Sequence, residues 1–185
     1  MRYVILIVLI NVLALVSNVK NVESDTSTVP YYIYNAATKF KIDVALLYAF
    51  CRVESNCRAK AINHDDGTAA QKAAGIVDKS YGLFQLKLST VKGLGFQQIE
   101  HIKIVKKTKN KTVTIRKAVD HTKDLLNPEV STWYAAKLIS QLYKRYGDTP
   151  KVISAYNAGR YTTANEEYVM RVLKAYTRYK IDKRF

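Results

Sequence analysis

Glu54 is the residue of this sequence whose type and setting best suit acid–base chemistry. It ends a strongly apolar helical stretch, residues 44–55, and shares a helix face with Leu47, Phe50 and Cys51. The apolar face and the negative end of the helix dipole both disfavour an ionised carboxylate, so we expect a raised pKa for Glu54. A carboxylic acid that stays protonated near neutral pH can act as a general acid. By itself, however, a glutamate at a helix end is more often a solvated surface residue.

Helical patterns dominate the chain around this glutamate. Only seven glycines and three prolines occur in 185 residues, which favours helices over a turn-rich β protein. Pro30 suits the start of one helix, and Asp43 is a good N-cap for the helix that carries Glu54. The apolar spacing predicts an all-α domain with helices at 30–40, 44–55, 130–146, 151–157 and 165–181, and with Trp133 in its core.

Residues 101–118 interrupt the helical pattern. Ile102 and Ile104 alternate with polar residues, a lysine-rich turn follows, and Val113 and Ile115 alternate again. Period-two alternation on both sides of a polar turn predicts a small inserted β-hairpin. This basic hairpin is either a solvated surface feature or a contact for a polyanion.

The net charge of +15 draws the protein toward polyanions. The apolar run at the start of the chain indicates export, which weighs against nucleic acid as the partner, and the sequence contains no motif of a nucleic-acid-binding fold. His64, His101 and His121 are scattered without metal-ligand spacing, and no phosphate loop occurs, so we expect neither a metal nor a cofactor.

The first residues indicate an exported protein. Residues 1–18 form a positively charged start and an apolar run shorter than the roughly 20 residues that span a bilayer comfortably. We expect a cleaved signal peptide there, with an uncleaved anchor as the alternative, followed by a polar linker at 19–29. The remaining 30–185 show no internal boundary. The periplasm or cell envelope is the expected location.

Export permits a disulfide between Cys51 and Cys57. Within one continuous helix their Cα atoms would lie about 9 Å apart, too far for a bridge. A bridge therefore requires the helix to end between them, and Asn56 makes such an end possible. The alternative is two free thiols.

Three segments occur in an order that carries a family resemblance. A helix ending in Glu-Ser is followed by a Gly-Leu-Phe-Gln segment and then by an Ala-Tyr-Asn-Ala-Gly segment; these lie at 54–55, 82–85 and 155–159. Two weaker elements also fit, the Leu-Asn-Pro-Glu of 126–129 before a long helix and Tyr168-Val169 in the last one. The ordered set, over residues 32–180, resembles the lytic transglycosylase family with the soluble-transglycosylase, lysozyme-like domain.

The resemblance implies a helical lysozyme-like domain and a role for each matched residue. Glu54 matches the single catalytic acid/base of the family. The residues matched to substrate binding are Ser55, Gly82, Leu83, Gln85, Tyr156, Asn157 and Tyr168. For Tyr156 and Tyr168, core packing is the alternative interpretation, because tyrosine combines a buried ring with a polar tip.

The resemblance also implies a reaction and its partners. The implied substrate is the β-1,4 bond between N-acetylmuramic acid and N-acetylglucosamine of peptidoglycan, cut without water to leave 1,6-anhydro ends. A second carboxylate, from Asp65, Asp66 or Asp78, would instead favour a lysozyme-type hydrolase. A non-catalytic wall-binding component of an envelope-spanning secretion machine is the third possibility. The hairpin would then contact anionic wall or lipid, and secretion-machine proteins are possible partners.

Departures from the family pattern lie on both sides of the expected cleft. Phe84 replaces the usual methionine, a mild change at an apolar position. The segment between Glu54 and Gly82 is longer than expected, with an insert around 68–78. Arg160-Tyr161-Thr162 follows Gly159 in place of the usual turn, which leaves the sugar specificity on that side open.

Overall fold

The described chain is built mainly of α-helices with two small antiparallel sheets. The computed structural model describes residues 29–64, 73–74, 78–108 and 111–182. The predicted signal peptide, nearly all of the predicted linker, Asp65 and Asp66 lie outside these residues. In chain order the elements are α1 (Val29–Phe40), α2 (Val44–Ser55), β1 (Ile62–Asn63), β2 (Ser80–Tyr81), β3 (Leu86–Lys87), α3 (Leu88–Gly93), β4 (Ile99–Thr108), β5 (Lys111–Asp120), a 3-10 helix (Thr122–Leu126), α4 (Pro128–Tyr146), α5 (Thr149–Ala158) and α6 (Glu166–Asp182). This confirms the predicted helical fold with an inserted hairpin.

Local capping determines where α2 begins and ends. Asp43 Oδ1 accepts a hydrogen bond from the Ala45 amide at 2.8 Å, which satisfies one of the free donors at the helix start. At the other end Asn56 takes the left-handed conformation, with φ of 56°. Asparagine tolerates this region better than most residues, so the helix ends directly after Glu54 and Ser55.

The core lies between α2 and the later helices. Leu47, Phe50 and Cys51 of α2 are fully buried, and α6 packs against this helix through Val172 among others. Asp43 also fixes the far end of α6, because its Oδ2 accepts from the Tyr176 hydroxyl and from Lys180 Nζ, each at 3.0 Å. The consequence is a fixed alignment of two helices that are far apart in sequence.

The short sheet β1–β2–β3 leads the chain back to the end of α2. Tyr81 pairs with Ile62 on one side and with Leu86 on the other. Gly82, in the turn after β2, has a φ of 74°, and a Cβ there would lie 2.2 Å from the Leu125 carbonyl oxygen. Only glycine fits this position, since both the conformation and the space exclude a side chain.

The strands β4 and β5 form the predicted hairpin and extend it by two residues at each end. Their register pairs Ile104 with Ile115 and Lys103 with Arg116. The side chains of Val105 and Ile115 are 57% and 42% exposed, so this ribbon presents aliphatic as well as cationic surface. The prediction of two alternating strands around a lysine-rich turn is thus confirmed.

The tryptophan of α4 lies at the surface. Trp133 is 42% exposed and packs edge-to-face on Phe40, with ring centroids 4.8 Å apart, so its predicted place in the core is wrong. Its neighbours Ser131 and Thr132 are buried instead, because α4 presents a different stripe to the core. Among the described residues, no helix combines the length and apolar character needed to cross a membrane.

Candidate active site

Glu54 meets a tyrosine from the last helix. The Tyr168 hydroxyl, near the start of α6, donates a hydrogen bond to Oε1 of Glu54 in the last turn of α2. Both side chains are half-buried. Burial raises the pKa of the Tyr168 hydroxyl far above its ordinary value, and the negative charge of Glu54 raises it further. Tyr168 therefore remains a neutral donor to the carboxylate across the physiological pH range.

A groove of about 570 Å³ opens beside Glu54. Its lining combines the carboxylate with amide, hydroxyl and aliphatic groups from the short sheet, α4 and α5; the lining residues are Glu54, Asn63, Gln85, Leu86, Lys87, Thr90, Leu138, Leu142, Ala155, Tyr156, Asn157, Ala158 and Gly159. This volume and mixture suit a polar ligand of several rings. Among the described lining residues, Glu54 is the only carboxylate.

Gln85 reaches the groove from a strained backbone position. Its φ is 46°, which is uncommon for a residue with a side chain. The side-chain amide donates to the carbonyl oxygens of Gly82 at 2.9 Å and Ala61 at 3.3 Å. The amide oxygen of Gln85 is thereby oriented as an acceptor at the groove.

Ser55 lies beneath the groove. It is 5% exposed, and its hydroxyl donates to the Leu83 carbonyl oxygen at 2.8 Å while accepting from the Arg58 amide at 3.0 Å. These bonds join the end of α2 to the segment that carries Gln85. Ser55, Gly82 and Leu83, all matched to substrate binding from the sequence, are buried and do not line the groove, so the structure gives them a supporting position.

Tyr156 connects the groove to the core. Its hydroxyl donates to the Phe84 carbonyl oxygen at 2.8 Å, and its ring packs on Phe50 with centroids 4.5 Å apart. Burial raises the pKa of Tyr156 well above 10, and the charge of Glu54 adds to this shift. The ring thus combines the two roles that the sequence left open, packing against the core and lining the groove.

Asn157 stands exposed at the groove beside the loop that follows α5. Asn165 Nδ2 donates to Asn157 Oδ1 at 3.3 Å and to the Ser154 carbonyl oxygen at 2.9 Å. The Ser154 hydroxyl donates to the Thr162 carbonyl oxygen at 2.6 Å. The buried Ser154 therefore holds the unusual Arg160-Tyr161-Thr162 turn to α5 at Thr162, and Asn165 holds the chain after this turn to the same helix.

The disulfide between Cys51 and Cys57 lies next to Glu54 in the chain. The two Cα atoms are 4.9 Å apart, because both Asn56 and Cys57 take the left-handed conformation after the helix end. The two cysteines are six positions apart, and Glu54 and Ser55 lie within the loop that the bridge closes. It links the last turn of α2 to the loop that leads into the short sheet.

Sequence reasoning missed several residues of the groove. Asn63, Lys87 and Thr90 line it from the short sheet and α3, and Leu138 and Leu142 from α4. Lys87 lies in β3 directly after the motif segment that ends at Gln85, and this proximity in sequence is the one signal that could have identified it. The others depend on packing between elements.

Asp78 is the one described member of the three aspartates that the sequence offered as a second carboxylate. It accepts a hydrogen bond from the Ser89 hydroxyl at 2.7 Å and does not line the groove. In the part of the chain that the structure describes, no group of three or more His, Cys, Asp or Glu side chains could hold a metal ion.

The fold and the groove together define a lysozyme-like helical domain with a carboxylate at the end of its buried helix. A family model described as the transglycosylase SLT domain matches residues 31–171, most of the chain. The chain belongs to this family, which confirms the resemblance seen in its ordered motifs.

One solved structure supports the fold. The X-ray structure of an inactive mutant of the lytic transglycosylase Slt from Pseudomonas aeruginosa is similar, with a TM-score of 0.55 and 17% sequence identity. The similarity covers 83% of this chain and 24% of that protein, so this chain spans about a quarter of its relative's length. No curated protein matches the chain.

Proposed function

We propose that the protein is a peptidoglycan lytic transglycosylase and that Glu54 is its catalytic acid and base. The observation that carries the proposal is the Glu54 carboxylate in the wall of the groove, bonded by Tyr168 and flanked by Gln85 and Tyr156. The P. aeruginosa relative is named a lytic transglycosylase, which supports the same reaction for this member of the family.

In the proposed reaction Glu54 first acts as an acid. It protonates the oxygen that links N-acetylmuramic acid to N-acetylglucosamine, and the bond from this oxygen to C1 of the muramic sugar breaks. The 2-acetamido group of the same sugar stabilises the positive charge at C1, in place of the second carboxylate of ordinary glycosidases.

Glu54 then acts as a base. The ionised carboxylate takes the proton of the C6 hydroxyl of the muramic sugar, and O6 bonds to C1 to close the 1,6-anhydro ring. The proton returns to Glu54 and no water is consumed. The neutral Tyr168 hydroxyl stabilises the ionised carboxylate between the two steps, because a hydrogen bond to a charged acceptor favours the charged form.

The remaining residues hold the glycan or the site. Gln85 and Asn157 would hydrogen-bond the sugars from the groove wall, and the ring edge of Tyr156 would contact them beside Glu54. The Ser55 hydroxyl holds the Gln85 segment against the end of α2 through the Leu83 carbonyl oxygen, and Gly82 lets the same segment approach the Leu125 carbonyl oxygen. We assign these three a positioning role.

Mass analysis of glycan fragments tests the proposal. Purified glycan strands digested by the protein should yield muropeptides with 1,6-anhydro ends. Reducing ends would instead identify a hydrolase, and intact strands a non-catalytic wall-binding protein. Glu54→Gln should lose the cleavage while it keeps the native fold, since the amide preserves the shape but cannot supply a proton.

Three aspartate variants test the role of a second carboxylate. Asp65→Asn, Asp66→Asn and Asp78→Asn should each retain cleavage with anhydro ends. A loss as complete as that of Glu54→Gln in any of them would show that two carboxylates act together. Asp78→Asn is the informative case within the described residues, because the bond from Ser89 can be kept by the amide oxygen.

The same proposal places the protein in the cell envelope or periplasm, exported by the predicted signal at 1–18. The basic hairpin would contact the anionic wall, since Lys103 and Arg116 lie directly opposite each other and both are exposed. Like charges opposite each other destabilise a ribbon unless an anion lies near them. Contact with secretion-machine proteins stays a prediction from the sequence.

Co-sedimentation with isolated cell walls tests the hairpin contact. Lys103→Gln/Arg116→Gln should weaken binding, whereas Lys144→Gln/Arg145→Gln, which removes the same charge from the end of α4, should not. The same variants are also tested on anionic lipid vesicles. If Lys103→Gln/Arg116→Gln loses binding to the vesicles but not to the walls, lipid is the hairpin's partner.

A further inference from the structure

A second groove, of about 560 Å³, lies between α2 and α6, and four of its nine lining residues are cations. Arg52 comes from α2, and Arg171, Lys174 and Arg178 come from α6. Asp182 is the only carboxylate in this lining, so the groove carries a formal excess of three positive charges. We call these residues the basic groove. Nothing in the proposed reaction uses them.

The cations of α6 stand on one stripe of that helix. Arg171, Lys174 and Arg178 are spaced by three and four residues, which places them on the same side one turn after another. Like charges at this spacing destabilise a helix. Neither Arg171 nor Lys174 lies in the last turn, so interaction with the helix dipole does not explain them.

Another cation between the same two helices has a close carboxylate partner. Lys180 of α6 lies 3.0 Å from Asp43 Oδ2 at the start of α2. In the basic groove the corresponding ion pair is longer, 3.6 Å between Arg178 Nε and Asp182 Oδ2. Among the described residues neither Arg52 nor Lys174 has an ion-pair partner. The chain thus neutralises Lys180 and leaves the four cations of the basic groove with a single carboxylate.

The floor of the basic groove is aromatic and aliphatic. The rings of Tyr48 and Tyr179 pack with centroids 4.8 Å apart, and Val53 and Ala175 lie half-buried beside them. An apolar floor under exposed cations strengthens the attraction for an anion, because it limits screening by water on one side. Guanidinium groups also match the geometry of carboxylate and phosphate oxygens.

The basic groove adjoins the proposed catalytic residues. Arg171 Nη2 donates to the Val53 carbonyl oxygen at 3.4 Å, next to Glu54 in the chain, and lies one turn after Tyr168 on α6. A substrate branch that starts near Glu54 needs only a few extended residues, at about 3.3 Å each, to reach it.

We infer that the basic groove is a second binding site, for a ligand that carries two or more oxyanions. The inference rests on the proposed function only for the place where the ligand occurs, the bacterial wall. Two sources supply this chemistry there: the carboxylates of the peptide stems on the glycan strands, and the phosphates of envelope polymers. Both present several negative charges within the length of the groove.

Binding measurements in the Glu54→Gln background test the site without any turnover. The probes are soluble glycan strands with peptide stems, the same strands after enzymatic removal of the stems, and inorganic polyphosphate. Lys174→Gln/Arg178→Gln should weaken binding of at least one anionic probe about tenfold, as expected for two exposed ion pairs. Lys144→Gln/Arg145→Gln is the control with the same net charge.

The probes distinguish the sources of the oxyanion. If removal of the stems lowers the affinity for glycan strands tenfold in the protein with the intact groove, but not in Lys174→Gln/Arg178→Gln, the ligand is the stem carboxylates. A loss confined to polyphosphate identifies phosphate. Equal losses in the groove variant and the control, or no loss in either, would overturn the site. If the wild-type chain did not cleave glycan, the proposed function would be overturned but the binding site would not, because the binding measurements do not depend on cleavage.

Discussion

The Tyr168 hydroxyl donates a hydrogen bond to Oε1 of Glu54 across 114 positions of sequence. This bond joins the first half of α6 to the last turn of α2, and the contacts of Asp43 with Tyr176 and Lys180 align the same two helices at their other end. The position of the proposed catalytic carboxylate is therefore determined by a helix that the chain reaches last.

Tyr168→Phe should lower kcat for glycan cleavage by about 10- to 100-fold, because a hydrogen bond to a charged group contributes about 1.5–3 kcal/mol. The ring remains, so the fold should be kept. Steady-state kinetics on purified glycan strands measure the effect. Tyr176→Phe is the matched control. It removes a hydroxyl from the same helix, α6, but this hydroxyl is bonded to Asp43 and not to Glu54. Equal activity of the two variants would contradict the role of Tyr168.

Stability should fall as the pH rises above about 10, where tyrosine ionises in the unfolded chain. Burial and then the charge of Glu54 raise the pKa of Tyr156 and Tyr168 in the folded state. Above pH ~10 the unfolded chain therefore binds fewer protons than the folded one, and the free energy of unfolding decreases with pH. Below that pH the contribution is fully present.

Urea unfolding followed by circular dichroism at several pH values measures this dependence. Tyr156→Phe and Tyr168→Phe should each show a shallower decrease at alkaline pH than the wild type, because each removes one phenol that must stay neutral in the fold. An unchanged slope in both variants would rule out these two hydroxyls as the origin of the alkaline sensitivity.

Gly82→Ala should destabilise the fold by more than about 3 kcal/mol, since it combines left-handed strain with a steric clash. The added Cβ would meet the Leu125 carbonyl oxygen at 2.2 Å. Two other glycines separate the causes. Gly159 shares a φ of 74° without any atom within 4 Å of a Cβ, and Gly93 has neither constraint.

Chemical denaturation of the three alanine variants gives the comparison. Gly159→Ala should cost about 1 kcal/mol from the backbone conformation alone, and Gly93→Ala should be neutral or slightly stabilising. If Gly82→Ala were no worse than Gly159→Ala, the close approach of Leu125 would have no energetic consequence.

Reduction of the Cys51–Cys57 disulfide should lower the free energy of unfolding by about 2 kcal/mol, the entropic effect of a short closed loop. Thermal melting with and without dithiothreitol measures the change. The double variant Cys51→Ala/Cys57→Ala should melt lower than the oxidised wild type and show no response to the reductant. A response in that variant would point to an effect of the reductant elsewhere.

The sequence by itself determined five of the six described α-helices, both ends of α2 and the inserted hairpin. Asp43 and Asn127 cap helices with side chains that bond the first free amides, and Gly147 ends α4 in the left-handed conformation. These are local effects, decided by residues within a few positions of each other. The alternation around the lysine-rich turn is equally local, and it predicted β4 and β5 for the same reason.

The tertiary structure alone decided which motif residues face the groove. Gln85, Tyr156 and Asn157 line it, whereas Ser55 and Leu83, from the same motifs, are buried beneath it. A motif conveys residue types and order, but side-chain direction depends on strained backbone such as the positive φ of Gln85. The contribution of Lys87 and the meeting of Tyr168 with Glu54 likewise depend on packing between distant elements. Exposure of Trp133 follows from the same cause, since periodicity shows that a helix has a buried stripe but only its neighbours determine where that stripe lies.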